Sequence, residues 1–547
     1  MVSPGPLRIR ELLLSIDRPL VLILVAGAGL RLLYVTLPFG EAHHFRQIYN
    51  ADIARAFAEE SLNILYPMVN WGGPARYVAA EFPLSQFIVA LLYLALGENE
   101  MYGRVVSIAF SLGTIAAIYG LGRYWFGAAA GRAAAFLLAI SPSNVFFGRT
   151  FLSDVPMLFF SVLAVLAFAV YVDTGKPSAA ILGATSLALA GMVKLPAVLV
   201  LAPILFSAWD RNRWQWWRDR PLLVAVGGAL AAVFAWYLHG YFIFKQTGLT
   251  VPLYSASAVY ASPLAETLRP FESISHWSSA TIIGNPSFYR GIWDRVWDIH
   301  LTPLGVAAVL FGFLLTWRRP HRRTVDMWML AGLCYFFATA MGQSRHEYYQ
   351  LPLLPPAALY FGLAAAPLFD GRWLASRGPR AVMVTATAIL LAGLAAQGFR
   401  HSGIIPRYFR PGPLPPREIQ AGHMIGTLTH PDALFLTVEF KSGGNQSPIL
   451  LYRAHRIGWS LDLDAITPQA VELLRRQYRV RYFATNIWET LVIDRPDIAE
   501  YLSRFQTVHL PGLVPRFRLI DLSVRASGAS MMDGPIHHRG ESKSKRD

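Results

Sequence analysis

Apolar runs dominate the first 400 residues. They recur near 20–38, 103–122, 130–147, 155–172, 178–193, 195–209, 221–243, 301–317, 326–341, 348–368 and 380–398, separated by short polar or basic stretches. A helix of about 20 apolar residues crosses a bilayer, so the pattern predicts a mainly α, polytopic membrane protein with about eleven transmembrane helices. One further run, "FPLSQFIVALLYLALG" (82–97), is short for a crossing at about 1.5 Å rise per residue. If it does not cross, the basic short loops "GRYWFGAAAGR", "WDRNRWQWWRDRP", "WRRPHRR" and "DGRWLASRGPR" fall on one side, together with Arg8, Arg10 and Arg18. Basic loops mark the cytoplasmic side, so 82–97 is expected to lie along the interface and the N-terminus to be cytoplasmic.

That topology puts the loop 39–102 outside, with "FFGRTFLSD" (146–154), the loop near 244–299, "GQSRHEYYQ" (342–350) and everything after about 400. The first loop reads as an amphipathic helix (45–60), a Pro/Gly-rich turn and the interfacial helix. From about 404 to 525 the pattern changes. "ALFLTVEF", "VRYFATNI" and "RFRLIDL" read as strands, and "TPQAVELLRRQY" and "RPDIAEYLSRF" as helices between them, which predicts a C-terminal extracytoplasmic α/β domain. The expected organisation is thus a membrane domain over 1–400, with 39–102 as an outer catalytic loop, the α/β domain over 404–525, and a tail (526–547). The tail has almost no large apolar residues and is expected to be disordered.

Composition agrees with the membrane reading: 54% hydrophobic, 15% charged and a mean hydropathy of +0.37. The net charge of +15 is that of cytoplasmic loops rather than of a nucleic-acid surface. The single cysteine, Cys334, lies in an apolar run, so no disulfide framework or thiolate metal site is expected. The N-terminal apolar run is too long for a cleavable signal peptide.

Ionisable residues gather at the predicted outer boundary, where they are costly unless paired or functional. Glu41, Glu81 and Asp154 are acidic; Arg46, Arg149, Lys194 and Arg345 are basic; "EAHHFRQ" adds His43, His44 and Gln47. Cations there suit a lipid-linked phosphate, and a carboxylate suits proton removal from a nucleophile. Plain alternatives stand beside this reading. Arg149 and Lys194 could snorkel to headgroups, and Asp154 could serve a helix N-terminus. Adjacent histidines diverge by about 100° on a helix and are a weak metal pair. No P-loop or Rossmann glycine fingerprint is placed to bind a nucleotide.

The order of "EFPL", "GRVVSIAFSLGTIAAIYGLGRYWFG", "SPSNVFFGRTFLSDVPMLFF", "GMVKLP" and "RHEYYQLPLLPPAAL" resembles the GT-C membrane glycosyltransferases. It is most similar to the bacterial branch of the protein O-mannosyltransferase and aminoarabinose transferase superfamily. The resemblance covers roughly residues 15–370. It implies an inner-membrane enzyme that moves a hexosyl or pentosyl group from a polyprenyl-phosphate carrier to a periplasmic or extracellular glycan, lipid or protein, with inversion. It further implies Glu41 as catalytic base or acceptor-positioning carboxylate, with Asp154 as the second acidic position. Glu81 and Pro83 of "EFPL", Lys194 and Arg345 match binding positions, and Lys194 and Arg345 are expected on the leaving phosphate. His43, His44, Arg46, Gln47, Arg149, His346 and Tyr349 complete the expected substrate-binding set. "EAHH" stands where the family often has an Asp-Glu pair, so a divalent metal ion is an open alternative and no metal ligand is assigned. A polyprenyl-lipid or polysaccharide transporter is the alternative function, and a scaffold a third.

Overall fold

A computed structural model describes residues 17–251, 254–255, 257–269, 280–371, 376, 378–409, 416–513 and 515–526. Arg8, Arg10 and the tail beyond Ala526 lie outside the described residues. All eleven apolar runs are helical. Five helices are long and apolar enough to cross a membrane: Met101–Phe126, Asp154–Thr174, Arg220–Thr247, Glu347–Phe369 and Ala381–Ser402. A sixth span results if Pro286–His300 and Thr302–Leu314, bent by 101°, form one crossing. The remaining runs give shorter or broken helices, such as Arg18–Arg31, Ala128–Ile140 and Pro177–Val193. Proline explains several breaks: Pro142 and Pro196 each stand at the start of the next helical piece, where a missing N–H costs nothing.

The spans pack through small residues. A Cβ on Gly122 would stand 2.9 Å from Gly131 Cα, and one on Gly362 would stand 2.6 Å from the Ala130 carbonyl oxygen. Such close backbone approach is how apolar helices associate without a hydrophobic driving force between them. Arg31, fully buried, donates to the carbonyls of Gly27, Leu138, Ala139 and Asn144 and to Ser111 Oγ, which ties the first helix to three others.

The first outer loop forms the helix His44–Glu59, a turn-rich stretch, and the helix Leu84–Leu96. The last is 13 residues long, about 20 Å at 1.5 Å per residue, against about 30 Å of hydrocarbon.

The C-terminal segment contains a five-stranded sheet: β1 (Phe435–Val438), β2 (Gly458–Ser460), β3 (Tyr482–Thr485), β4 (Phe505–Val508) and β5 (Arg518–Arg525), in the order β2-β1-β3-β5-β4. β1 runs parallel to β2 and β3, and β5 antiparallel to β3 and β4. β1 and β3 fall within predicted strands, and β5 overlaps the third and runs three residues beyond it. β2 and β4 were not predicted, because three or four residues with little alternation carry no strand signal.

This sheet shares one hydrophobic core with the first outer loop. Tyr49, Ile53, Phe57, Val69, Trp71 and Val78 pack in the same cluster as Leu436, Trp459, Phe483 and Ile520. The loop also pairs with the edge strand β2: Gly73 N–H donates to Gly458 O at 2.7 Å, and Gly458 N–H to Asn70 O at 2.9 Å. Gly73 has φ +67°, and a Cβ there would lie 2.3 Å from the Trp459 ring, so only glycine fits. A polar clasp closes the seam. Arg453 pairs with Glu100 and donates to Phe39 O at 2.6 Å, while Phe39 N–H donates to Glu100 at 2.5 Å.

Glu439, at the end of β1, is buried and accepts the Leu450 N–H at 3.2 and 3.1 Å. Burial pushes its carboxyl up to about 8, against the pull of that N–H. The folded state therefore holds a proton that the unfolded chain releases above its ordinary carboxyl range. The stabilisation is full at acid pH and is lost as pH rises through about 8, by up to about 1.4 kcal/mol per unit in that window. Glu439→Gln is expected to flatten this dependence, so that its unfolding temperature at alkaline pH exceeds that of the wild type. Thermal unfolding followed across the window measures it.

Candidate functional site

The turn after the first helix delivers Glu41 into a buried knot. Glu41 is 2% exposed, and Arg104 and Arg149 are both 0% exposed. Arg104 grips the carboxylate with two donors, Nη2 to Oε2 at 2.6 Å and Nε to Oε1 at 3.3 Å. Arg149 Nη2 stands 3.3 Å from Oε1, an ion pair without hydrogen-bond alignment. Gln47 donates to Oε1 at 3.3 Å and accepts the Phe151 N–H at 3.2 Å. Arg104 also holds the carbonyls of Val35, Leu37 and Pro38. Glu41 is thus the counter-ion that fastens the loop to two helical elements. A carboxylate held in this way has a structural task, since protonating it would leave buried guanidiniums without their counter-charge. Arg149 and Gln47 belong to the same knot. His44 Nδ1 lies 3.2 Å from Glu41 O, and burial pushes its imidazole down to about 4, so it is neutral there.

A second cluster lies at the ends of several helices. Lys194 follows the helix Pro177–Val193 with an extended backbone (φ −159°, ψ 119°), and Pro196 in the next turn breaks the helix there. Its Nζ donates to Asp154 Oδ2 at 2.6 Å. Asp154 is the first residue of Asp154–Thr174, where the helix dipole favours an anion. Phe82 N–H donates to Met192 O at 3.0 Å, which brings "EFPL" alongside "GMVKLP". Glu81 is electrostatically coupled to both Asp154 and Lys194. Arg46, in the first turn of His44–Glu59, is coupled to Glu81, Asp154, Tyr348 and Tyr349. Lys194 Nζ sits 5.2 Å from each of the Tyr348 and Tyr349 ring centroids. Lys194 and Asp154 side chains are 12% and 5% exposed. Two cations, two carboxylates and two tyrosines therefore share one half-buried site.

On its flank, His43 Nε2 meets Glu347 Oε2 at 3.0 Å, and the imidazole stands edge-on to Tyr348 at 5.1 Å. His346 stacks on Tyr348 and Tyr349 at 5.1 and 5.7 Å.

Of the residues expected from the sequence, Arg46, Glu81, Asp154, Lys194 and Tyr349 come together, with His43 and His346 beside them. Glu41, Gln47 and Arg149 form the separate knot. Arg345 ends the helix Ala340–Arg345 and is exposed. The second cation whose charge acts on Asp154 is Arg46. Arg104, Glu347 and Tyr348 were missed. Each lies inside a quoted block, but an arginine one turn into an apolar helix reads as an interfacial residue.

A divalent ion needs carboxylates not already neutralised. At this site Asp154 is held by Lys194, and the charge of Arg46 acts on it as well. Among the described residues one ligand triad lies within 4.8 Å, the exposed Glu59, Glu98 and His455. It stands at the far end of His44–Glu59, and Arg55 already grips Glu98 at 2.9 and 2.6 Å.

Residues 80–239 match the model of the dolichyl-phosphate-mannose-protein mannosyltransferase family. No curated protein matches the chain. Among solved structures, ArnT from Cupriavidus metallidurans bound to undecaprenyl phosphate is similar over 92% of this chain and 98% of its own, at 12% identity and a TM-score of 0.61. The archaeal oligosaccharyltransferase AglB from Archaeoglobus fulgidus, in complex with an inhibitory peptide and a dolichol-phosphate, is similar over 90% of this chain and 72% of its own, at 12% identity and a TM-score of 0.51. The arabinofuranosyltransferase AftD from Mycobacteria is similar over 92% of this chain and 41% of its own, at 14% identity and a TM-score of 0.51. The chain is a multi-pass membrane protein with the fold of the GT-C glycosyltransferases, and the stretch matched by the family model is the one that carries Glu81, Asp154 and Lys194.

Proposed function

We propose that the protein is an inner-membrane glycosyltransferase. It moves a hexosyl or pentosyl group from a polyprenyl-phosphate carrier to a glycan, lipid or protein acceptor on the outer face, with inversion at the anomeric carbon. The observation that carries this reading is the half-buried cluster of Arg46, Lys194, Glu81, Asp154, Tyr348 and Tyr349 in a fold shared with a structure that holds undecaprenyl phosphate.

Arg46 and Lys194 are the cations for the phosphate. Charge-assisted contacts of this kind are among the stronger ones, and more so in a site closed to water. As the sugar–oxygen bond breaks, negative charge grows on the leaving phosphate, and fixed cations stabilise that state more than the ground state. Asp154 holds Lys194 in place, and Glu81 orients the incoming acceptor hydroxyl or amine. A single in-line displacement inverts the configuration. The acidic position at the first loop keeps a structural task through Glu41.

Eleven crossings with a cytoplasmic N-terminus set the cluster and the sheet on the outer face. Reporter fusions after residue 125 and after residue 430 are then expected to report opposite sides, and agreement between them would refute this topology. Deletion of the gene, followed by mass spectrometry of envelope lipids and polysaccharides, tests the function. Loss of one sugar from an otherwise intact component supports a transferase. Accumulation of a complete glycolipid on the cytoplasmic side would instead mark a transporter.

A further inference from the structure

The transfer releases a proton, and two of the carboxylates singled out from the sequence are already engaged by cations. Asp154 is paired with Lys194 at 2.6 Å, and Glu41 is locked by Arg104 and Arg149. We infer that His43 is the proton acceptor of the reaction and that Glu347 is its positioning residue. The inference rests on the transferase reading above.

Three observations support it. First, His43 Nε2 and Glu347 Oε2 are 3.0 Å apart, with both side chains mostly buried, at 16% and 17% exposure. A carboxylate can only accept, so Nε2 carries the hydrogen and Nδ1 presents its lone pair. Tyr408 OH donates to the other Glu347 oxygen at 3.3 Å and fixes the carboxylate. Second, His43 and Lys194 stand against the same ring, His43 at 5.1 Å and Lys194 Nζ at 5.2 Å from the Tyr348 centroid. The imidazole and the proposed phosphate-binding cation therefore share one aromatic neighbour. Third, His43 occupies the helix N-cap position with φ +60° and makes no side-chain cap bond. A non-glycine residue in that conformation is uncommon, histidine less so than most, and such backbone collects at functional sites. Here it turns the ring away from the helix end and toward Glu347.

The step balances. The acceptor oxygen or nitrogen forms its bond to the anomeric carbon while its proton passes to His43 Nδ1. The bond from that carbon to the phosphate oxygen breaks, and its electron pair leaves with the polyprenyl phosphate. Glu347 stabilises the imidazolium until water takes the proton on the outer face. The groups facing the pair are Tyr348 and His346 from its own turn, Tyr408, His44, and Arg295 and His300, whose charges act on or respond to Glu347.

The test uses purified full-length protein added to membranes of the deletion strain, which supply donor and acceptor. Appearance of the missing sugar is followed across pH. His43→Asn keeps a residue that tolerates the left-handed backbone. It is expected to lose about 10²–10⁴ in rate while binding undecaprenyl phosphate as the wild type does. Glu347→Gln is expected to move the acid limb of the rate profile to lower pH, because the imidazole loses its anionic partner. A merely structural contact would leave that limb in place, and this profile decides the matter if His43→Asn does not insert. Turnover of His43→Asn at the wild-type rate, or an unmoved limb in Glu347→Gln, would overturn the assignment alone. A wild type that neither transfers sugar nor binds undecaprenyl phosphate would overturn the transferase reading, and the assignment with it.

Discussion

Glu41→Gln is expected to cost about 3–5 kcal/mol of folded-state stability, since it leaves a buried arginine without its counter-charge. Glu41 faces Arg104 at 2.6 Å and Arg149 at 3.3 Å, and both arginines are fully buried. Glutamine can accept one hydrogen bond but cannot balance a charge. The variant should therefore insert poorly and unfold at lower temperature, whatever its chemistry. Pairing it with Arg104→Met tests the cause, because the double variant returns the knot to the net charge of the wild type, whereas Glu41→Gln alone adds one uncompensated buried charge. Recovery of yield and unfolding temperature in the double variant identifies a charge-balance role. A well-folded, inactive Glu41→Gln would return Glu41 to the chemistry.

Asp154→Asn is expected to separate binding from turnover. The substitution frees Lys194 from its 2.6 Å partner and raises the net positive charge beside the phosphate. Affinity for undecaprenyl phosphate is expected to hold or rise. Transfer is expected to fall by about 10²-fold, the cost of a misplacement of about 1 Å at a reacting centre. Equal losses of binding and transfer would mean that the helix start itself had shifted.

Much of the fold was legible because apolar runs state their own length. The eleven runs are all helical, and the short run 82–97 is a 13-residue helix. Span integrity was not legible. Whether a proline ends one helix or kinks another depends on neighbours, as at Pro196 and at the 101° bend before Thr302. The shared core of the first loop and the sheet was also hidden. It joins Trp71 to Trp459 across hundreds of positions, and each looks like an ordinary apolar residue in its own segment. At the site, residue types at the outer boundary identified Arg46, Glu81, Asp154 and Lys194 because unpaired charge is costly there. Roles were harder. Glu41 and Asp154 look equivalent in sequence, and what separates them is which cation the fold brings to each. Arg345 has the right charge and the right neighbours in sequence, and the fold leaves it exposed at the end of its helix.

The most direct test of the central claim is the affinity of the purified protein for undecaprenyl phosphate, measured for wild type and for Arg46→Gln. Arg46 lies outside the Glu41 knot, so its loss leaves that buried charge balance intact. A lost charge-assisted hydrogen bond is worth about 1.5–3 kcal/mol, so the account predicts binding by the wild type and a loss of roughly 10- to 100-fold in the variant. No binding by the wild type, or equal affinity in Arg46→Gln, would contradict it.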